Sequence, residues 1–405
     1  MQSNALDFDP ASISEMIRPS YSRFLKAGRI LLTGHSHQAW PDVVRDALVS
    51  VFDDAALYVD DKWGQCIFPK MQWVGGAILE RLGFSKDDPI AFGKSTHELL
   101  FRLLTCLPSP DKRPRIVTTS SEFHSLRRQF GRIAEEGAEI IWVDAHPREV
   151  LCDRLLEALV PGTAMLAISS VLFEDSYRLP RLEEILLRAI EIGAIPLVDA
   201  YHSFNVAPCD WGAAKEHVYV VAGGYKYAEF GEGLCFLRFP RHCGLRPVYT
   251  GWFADFGALS GRPAGPIQYG EGGARFSGAT FDPTPFYRAE AVLRHFDRFG
   301  LDVERLRAIS VRQCERIIMH IDADGLLERL VSPRNADLRG GFVALRTDRA
   351  SEICDILRKE GVFVDSRGSW LRLGPSPYLL DDEIERGADA VLAAIRRVEG
   401  VGGGF

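Results

Sequence analysis

An excess of basic charge is missing from this 405-residue chain: 48 Lys+Arg stand against 55 Asp+Glu, a formal charge of −7 with histidine neutral. Nucleic acid is therefore not an expected partner. Long apolar runs are missing as well, so no segment is expected to span a bilayer and no membrane partner is expected. The opening MQSNALDFDPASISEM carries no basic start, apolar run or small-residue cleavage site, which makes a cytoplasmic protein the expectation. The cysteines (Cys66, Cys106, Cys152, Cys209, Cys235, Cys243, Cys314 and Cys354) include no CxxC pair, and most lie in apolar runs where a reduced thiol simply packs. Neither a disulfide scaffold nor a zinc module fits. Internal repeats are absent, and low complexity is confined to Gly402–Gly404.

What the chain does have is ample apolar material, 46% hydrophobic against 25% charged, enough for more than one core. From about residue 90 to 240, short apolar runs alternate with helical patterns, the signature of an α/β protein with a mainly parallel sheet covered by helices. Strands are expected at Ile116–Thr119, Glu139–Val143, Ala164–Ser169, Ile195–Asp199, Val218–Ala222 and Leu234–Leu237. Between them, segments such as Arg181–Ile192 repeat Leu182, Ile185, Leu186, Ala189 and Ile190 at helical spacing. Gly, Pro and aromatic residues crowd Gly251–Pro285, which places a domain boundary near residue 285. Beyond it, helical patterns at Tyr287–Phe299, Asp302–Ile321, Ala350–Glu360 and Asp382–Val398 surround strand patterns at Gly341–Arg346, Val362–Val364 and Trp370–Leu373, a smaller α+β domain.

Two segments carry the chemistry: Pro196-Leu-Val-Asp-Ala-Tyr-His-Ser203, and Val221-Ala-Gly-Gly-Tyr-Lys-Tyr227 with Lys226 27 positions after Asp199. An aspartate ending a buried strand and a lysine after a double glycine suit pyridoxal phosphate. The lysine can form a Schiff base with the cofactor aldehyde, and the carboxylate can keep the pyridine nitrogen protonated so that the ring withdraws electrons. Both groups then sit at the carboxyl ends of strands, where open α/β sheets bind ligands. Alone, Asp199 could cap a turn and Lys226 could be a solvated loop residue. Their combination favours the cofactor, with Gly223 and Gly224 expected to give the backbone freedom to place the lysine. Ser95 and Thr96 directly precede an amphipathic helix, so backbone N–H groups and two hydroxyls could hold a phosphate. The same Ser95-x-x-Glu98 is also a capping box that many helices carry for stability alone.

With these motifs in view, the chain resembles a pyridoxal-phosphate enzyme of the aspartate-aminotransferase fold (fold type I), in the class V aminotransferase group, and is most similar to kynureninase. The resemblance runs from Arg29-Ile-Leu-Leu-Thr-Gly-His-Ser36 through Asp199-Ala-Tyr-His202, Tyr225-Lys-Tyr227, Gly251-Trp-Phe253 and Arg275-Phe-Ser-Gly-Ala-Thr280 to Leu371-Arg-Leu-Gly374. It implies a large domain, 46–285, with a mainly parallel seven-stranded sheet, and a small α+β domain built from both termini, 1–45 and 286–405. It also implies that Lys226 is the Schiff-base lysine and Asp199 the pyridinium partner. His202 would orient the cofactor or its 3-hydroxyl side, Lys226 would remove the substrate α-proton, and Tyr225 or His202 could relay protons. Ser95, Thr96 and the Tyr225 hydroxyl would hold the phosphate, and Trp252 and Thr280 would reach the phosphate of the neighbouring subunit across a homodimer with a shared active site. Phe123 would stack on the cofactor face, with His124 as the alternative. Arg372 would grip the α-carboxylate of an amino acid substrate. His35, Ser36 and His37, near the domain junction, would face that substrate; His35 and His37 lack convergent ligands for a metal.

The implied reaction is hydrolysis of a β–γ carbon–carbon bond to give alanine. Three departures fall on positions that help recognise an aminoaryl ketone. Phe123 is followed by His124-Ser-Leu126 rather than a Pro-Ser/Thr-Asp run, Ser170-Val-Leu-Phe-Glu174 replaces a His-Val-Asn-Tyr strand end, and Ser277-Gly278 replaces a Ser-Asn pair. Transamination, β-elimination and α-decarboxylation of another amino acid are therefore the alternatives. Cysteine desulfuration ranks lower, because Cys354 lies in a helical pattern rather than a mobile loop. A non-enzymatic binding module would be expected to have lost Lys226 or Asp199, and both are present.

Overall fold

The computed structural model describes residues 9–107, 113–258 and 265–400; the Gly402–Gly404 tract lies outside them. The chain begins with helix α1 (Pro10–Ile17), a short strand β1 (Ile30–Leu31) and two longer helices, α2 (Val43–Tyr58) and α3 (Phe68–Arg81). The large sheet follows: β2 (Ile90–Gly93), β3 (Arg115–Thr119), β4 (Glu139–Val143), β5 (Thr163–Ser169), β6 (Ile195–Asp199), β7 (Tyr219–Gly223) and β8 (Cys235–Arg238). Its helices are α4 (Thr96–Leu104), α5 (His124–Glu135), α6 (Leu151–Ala158) and α7 (Leu182–Glu191).

The seven strands lie in the order β2-β8-β7-β6-β5-β3-β4. All neighbours run parallel except β8, which is antiparallel to both β7 and β2. The architecture is the mainly parallel, helix-covered sheet expected, and six of its strands lie within two residues of their expected bounds. Strand β2 was not anticipated; it is only four residues long, and it sits at the edge of the sheet against β8. The central strands are apolar on both faces because helices cover both, as a parallel sheet requires. In-register pairs Ser169↔Asp199 and Asp199↔Val221 bring the carboxyl ends of β5, β6 and β7 level.

The double glycine before Lys226 does a different job from the one expected. Neither Gly223 nor Gly224 has a positive φ. A Cβ on Gly223 would lie 2.4 Å from both Cys235 Sγ and the Tyr201 hydroxyl, and one on Gly224 would lie 2.4 Å from the Phe230 ring. Their value is close approach of backbone to packed side chains, not conformational freedom.

After the sheet come α8 (Thr284–Arg298) and α9 (Val303–Ala323), then β9 (Val343–Arg346), α10 (Ala350–Lys359), β10 (Val362–Phe363), β11 (Asp365–Arg367), β12 (Trp370–Leu373) and α11 (Asp381–Glu399). Helix α9 starts at Asp302, whose carboxylate accepts the Arg305 N–H. It buries Leu306, Ile309, Cys314, Ile317 and Ile321 along one stripe. Strands β11, β12 and β9 form an antiparallel sheet, while β1 pairs in parallel with β10 through Ile30↔Val362. The isolated bridge Thr33↔Gly374 continues that contact, so the loop after β1 packs on the end of β12. Among the described residues no helix is long and apolar enough to cross a membrane.

Candidate active site

A cavity of about 230 Å³ opens at the carboxyl ends of the central strands. Of the residues singled out from sequence, it is lined by Ser95, Thr96, Phe123, Asp199, His202, Tyr225 and Lys226. Each arrives on a defined element. Ser95 and Thr96 begin α4 just after β2, Asp199 ends β6, and Lys226 follows β7 by three residues. A larger open cleft of about 1000 Å³, lined in part by Trp73, Arg81 and Asp302, lies elsewhere and contains none of Lys226, Asp199 or His202.

Lys226 is 5% exposed, and its Nζ lies 2.6 Å from His202 Nε2. Its Nζ also lies 4.5 Å from the centre of the Tyr201 ring and 5.5 Å from that of the Phe123 ring. Burial pulls its pKa down to about 7, with Asp199 opposing and Arg372 adding to the fall. The amine is thus substantially neutral, hence nucleophilic, at neutral pH. His202 is buried and its pKa falls well below the ordinary value, first through burial and then through Lys226, so its imidazole is uncharged. Asp199 is pushed up by burial, against the Tyr201 N–H that donates to its Oδ1 at 2.9 Å and against the attraction of Lys226. A cation placed beside this carboxylate would relieve that cost.

At the other wall, the Ser95 hydroxyl accepts the Glu98 N–H at 3.2 Å, and Glu98 Oε2 accepts the Lys94 N–H at 2.9 Å. Ser95 therefore caps the helix, while the Glu98 carboxylate reaches back one residue further, to Lys94, and together they fix a helix N-terminus at the cavity edge. Tyr225 stacks on His37 with ring centroids 5.2 Å apart, and burial pushes its hydroxyl up to about 12, so it holds its proton. Phe123 faces the cavity, whereas His124 opens α5 with its side chain exposed, which favours the phenylalanine of the two.

The remaining candidates lie off the cavity lining. Arg372 is buried behind it, with Nε and Nη2 on Asp365 at 2.7 Å each and Nη1 donating to the carbonyl of Phe173, itself a lining residue. His35 is buried too, and its Nε2 donates to Asp365 at 2.8 Å; burial lowers its pKa to about 4 and keeps it neutral. Ser36 donates to the Thr33 carbonyl at 3.2 Å. Trp252 and Thr280 are exposed, Trp252 packing edge-on against Phe253.

Sequence reasoning overlooked several neighbours. Ser169 and Tyr201 line the cavity, and Tyr201 could have been noticed inside Asp199-Ala-Tyr-His202. Glu122 is fully buried beneath it, accepting from the Thr119 hydroxyl at 2.7 Å and the Ser169 N–H at 3.1 Å, and burial pushes its carboxyl up to about 7. Asp365 had no local signal at all.

This donor set fits pyridoxal phosphate. A buried amine with a lowered pKa can hold an aldehyde, a half-buried carboxylate can face a pyridinium, a helix start can hold a phosphate, and a phenylalanine ring can cover the flat face. The sheet and site together define the fold of pyridoxal-phosphate enzymes of fold type I. Solved structures share that fold. The cysteine desulfurase of Thermococcus onnurineus superposes with TM-score 0.75 at 18% identity over 96% of this chain and 98% of that one. The lyase C-DES, solved with glycine covalently linked to its PLP cofactor, gives TM-score 0.79 at 19% identity over 93% and 98%.

In sequence, the resemblance is to kynureninase. A family profile for the kynureninase C-terminal domain matches residues 306–391. The kynureninase of Geobacillus thermodenitrificans is 24% identical over 87% of this chain and 85% of its own length. An uncharacterized aminotransferase of Bacillus subtilis is 23% identical over 90% of this chain and 94% of its own. Together these comparisons support a class V enzyme of fold type I that resembles kynureninase.

Proposed function

We propose that the chain is a pyridoxal-phosphate-dependent enzyme acting on an amino acid, and that it hydrolyses a β–γ carbon–carbon bond in the manner of kynureninase, releasing an acid and leaving alanine. The observation that carries the reading is the pairing of buried Lys226 and half-buried Asp199 on one cavity beside the start of α4. Bound there, the cofactor would supply an aldehyde for covalent attachment and a ring that withdraws electrons from the substrate's α-carbon.

The chain's own groups would do the rest. Lys226 Nζ would hold the cofactor and is the base placed to take the substrate's α-proton. Asp199 would keep the pyridine nitrogen in its charged form, and that charge would in turn favour its own ionisation. His202 Nε2, 2.6 Å from Nζ, is placed to accept from the lysine and orient it. The Tyr225 hydroxyl keeps its proton and can donate it to the phosphate. Phe123, on the cavity lining, would exclude water from one cofactor face. Arg372 supplies the cation for the substrate α-carboxylate, with His35 and Ser36 on the segment beside it.

We further propose a homodimer in which Trp252 and Thr280 complete the partner's site. Exposed apolar residues Val49, Phe52 and Leu57 on α2, with Val248, Tyr249 and Trp252, support an interface. The division into a large domain, 46–285, and a small one from both termini is supported by the β1·β10 pairing. All eight cysteines are free, which suits a cytoplasmic, reducing environment.

A second reading, a class V aminotransferase, β-lyase or decarboxylase for another amino acid, is favoured by the Bacillus subtilis relative and by the replaced residues at Ser170–Glu174 and Ser277–Gly278. Incubating the cofactor-loaded protein with L-kynurenine separates the two. Release of anthranilate and alanine supports the hydrolase, and no product there with turnover of another amino acid selects the alternative.

A further inference from the structure

Asp365 connects two arginines of its own strand pair, Arg367 and Arg372, with His35, which lies 330 positions away. It lies opposite Arg372 in the β11·β12 ladder, a cross-strand pair. Its two oxygens take Arg372 Nε and Nη2 at 2.7 Å each, a bidentate fork. Oδ1 also accepts His35 Nε2 at 2.8 Å from the segment after β1, and Oδ2 lies 3.4 Å from Arg367 Nη1. The Arg372 side chain is 3% exposed and the Asp365 side chain 15%.

A guanidinium has five N–H donors. Asp365 takes two of those on Arg372, and the Phe173 carbonyl takes one on Nη1. One N–H therefore remains on each terminal nitrogen, the set that can close on a second carboxylate end-on. Because Phe173 lines the cofactor cavity, that end of Arg372 sits directly behind the cavity wall. A long buried side chain with four rotatable bonds would otherwise have to be ordered by the ligand, at a cost in affinity.

We propose that Asp365 is a positioning residue for the substrate α-carboxylate: it clamps one edge of Arg372, is itself held by His35, and so presents the remaining N–H donors to the carboxylate of a bound amino acid. This rests on the reading of Arg372 given above. Asp365 touches neither substrate nor cofactor. Its negative charge also offsets one of the two neighbouring arginines, so the site carries one net positive charge from Arg372, Arg367 and Asp365, matched to a single carboxylate.

The test is calorimetric binding to the cofactor-loaded protein of L-alanine and of ethylamine, the same molecule without its carboxylate. Asp365→Asn is expected to weaken L-alanine by about tenfold or more, since one charged hydrogen-bond pair is lost, and to leave ethylamine unchanged. Equal weakening of both ligands, or L-alanine bound as tightly as before or more tightly, overturns the proposal. Should Asp365→Asn fail to fold by circular dichroism, Asp365→Glu keeps the charge and displaces it by one methylene. It is expected to weaken L-alanine selectively as well, and unchanged discrimination there overturns the proposal. A wild-type protein that carries no covalently held cofactor instead overturns the preceding function, whereas a loaded wild type with an unaffected Asp365→Asn variant overturns this inference alone.

Discussion

Lys226 draws its reactivity from burial. An ammonium removed from water and set near Arg372 loses its proton at about 7 rather than in the ordinary lysine range. Capture of the cofactor aldehyde by the apoprotein should therefore accelerate through an inflection near pH 7 in stopped-flow traces. Arg372 pushes that pKa down, so Arg372→Gln should move the inflection upward; an inflection near 10 in the wild type would contradict the account. A second buried group acts on stability. Glu229 is fully buried beneath Tyr21, whose hydroxyl donates to it at 2.7 Å, and burial raises its pKa from an ordinary 4.5 to about 8. A raised carboxyl contributes fully below its unfolded pKa and loses that contribution as pH rises through the folded one. Glu229→Gln should accordingly gain thermal stability relative to wild type between about pH 4.5 and pH 8, most visibly at the alkaline end of paired melting curves. At this scale, Asp199, His202, Tyr225 and Lys226 were legible because they share short motifs. Glu122 and Asp365 were not, because what gives them meaning is a partner far along the chain: His35 and Asp365 are 330 positions apart.

The elements were legible where their periodicity was strong. Helix α7 buries Ile185, Leu186 and Ala189, and helix α10 buries Ala350, Ile353, Cys354 and Leu357, both at helical spacing that the sequence displays directly. Strand β2 was hidden because four residues, Ile90–Gly93, are too few to show alternation, and its identity comes from pairing with β8. The turn after β7 shows the limit of reading glycine as freedom. Tyr201, Cys235 and Phe230 crowd the space where a side chain would stand, so Gly223→Ala and Gly224→Ala should each destabilise the protein by about 1–3 kcal/mol through overpacking. Urea unfolding of the two variants measures this, and unchanged midpoints would show that the crowded neighbours yield freely.

For the molecule as a whole, the order of strands had no signature in periodicity or composition, and the return of the N-terminal segment to the C-terminal part, seen in the β1·β10 pairing, was an expectation of the resemblance alone, since both depend on contacts between remote segments. The exposed apolar residues of α2 bear on assembly. Phe52→Asp with Leu57→Asp should convert the proposed dimer to monomers in light scattering, and, if the site is shared, cofactor affinity should fall with it. Dimers that persist would place the interface elsewhere. The most direct test of the central claim is covalent: borohydride reduction of the cofactor-loaded protein, followed by peptide mapping by mass spectrometry. The account predicts a cofactor-derived mass on the peptide containing Lys226 and none in Lys226→Ala, whereas a modification on another lysine, or none in the wild type, would contradict it.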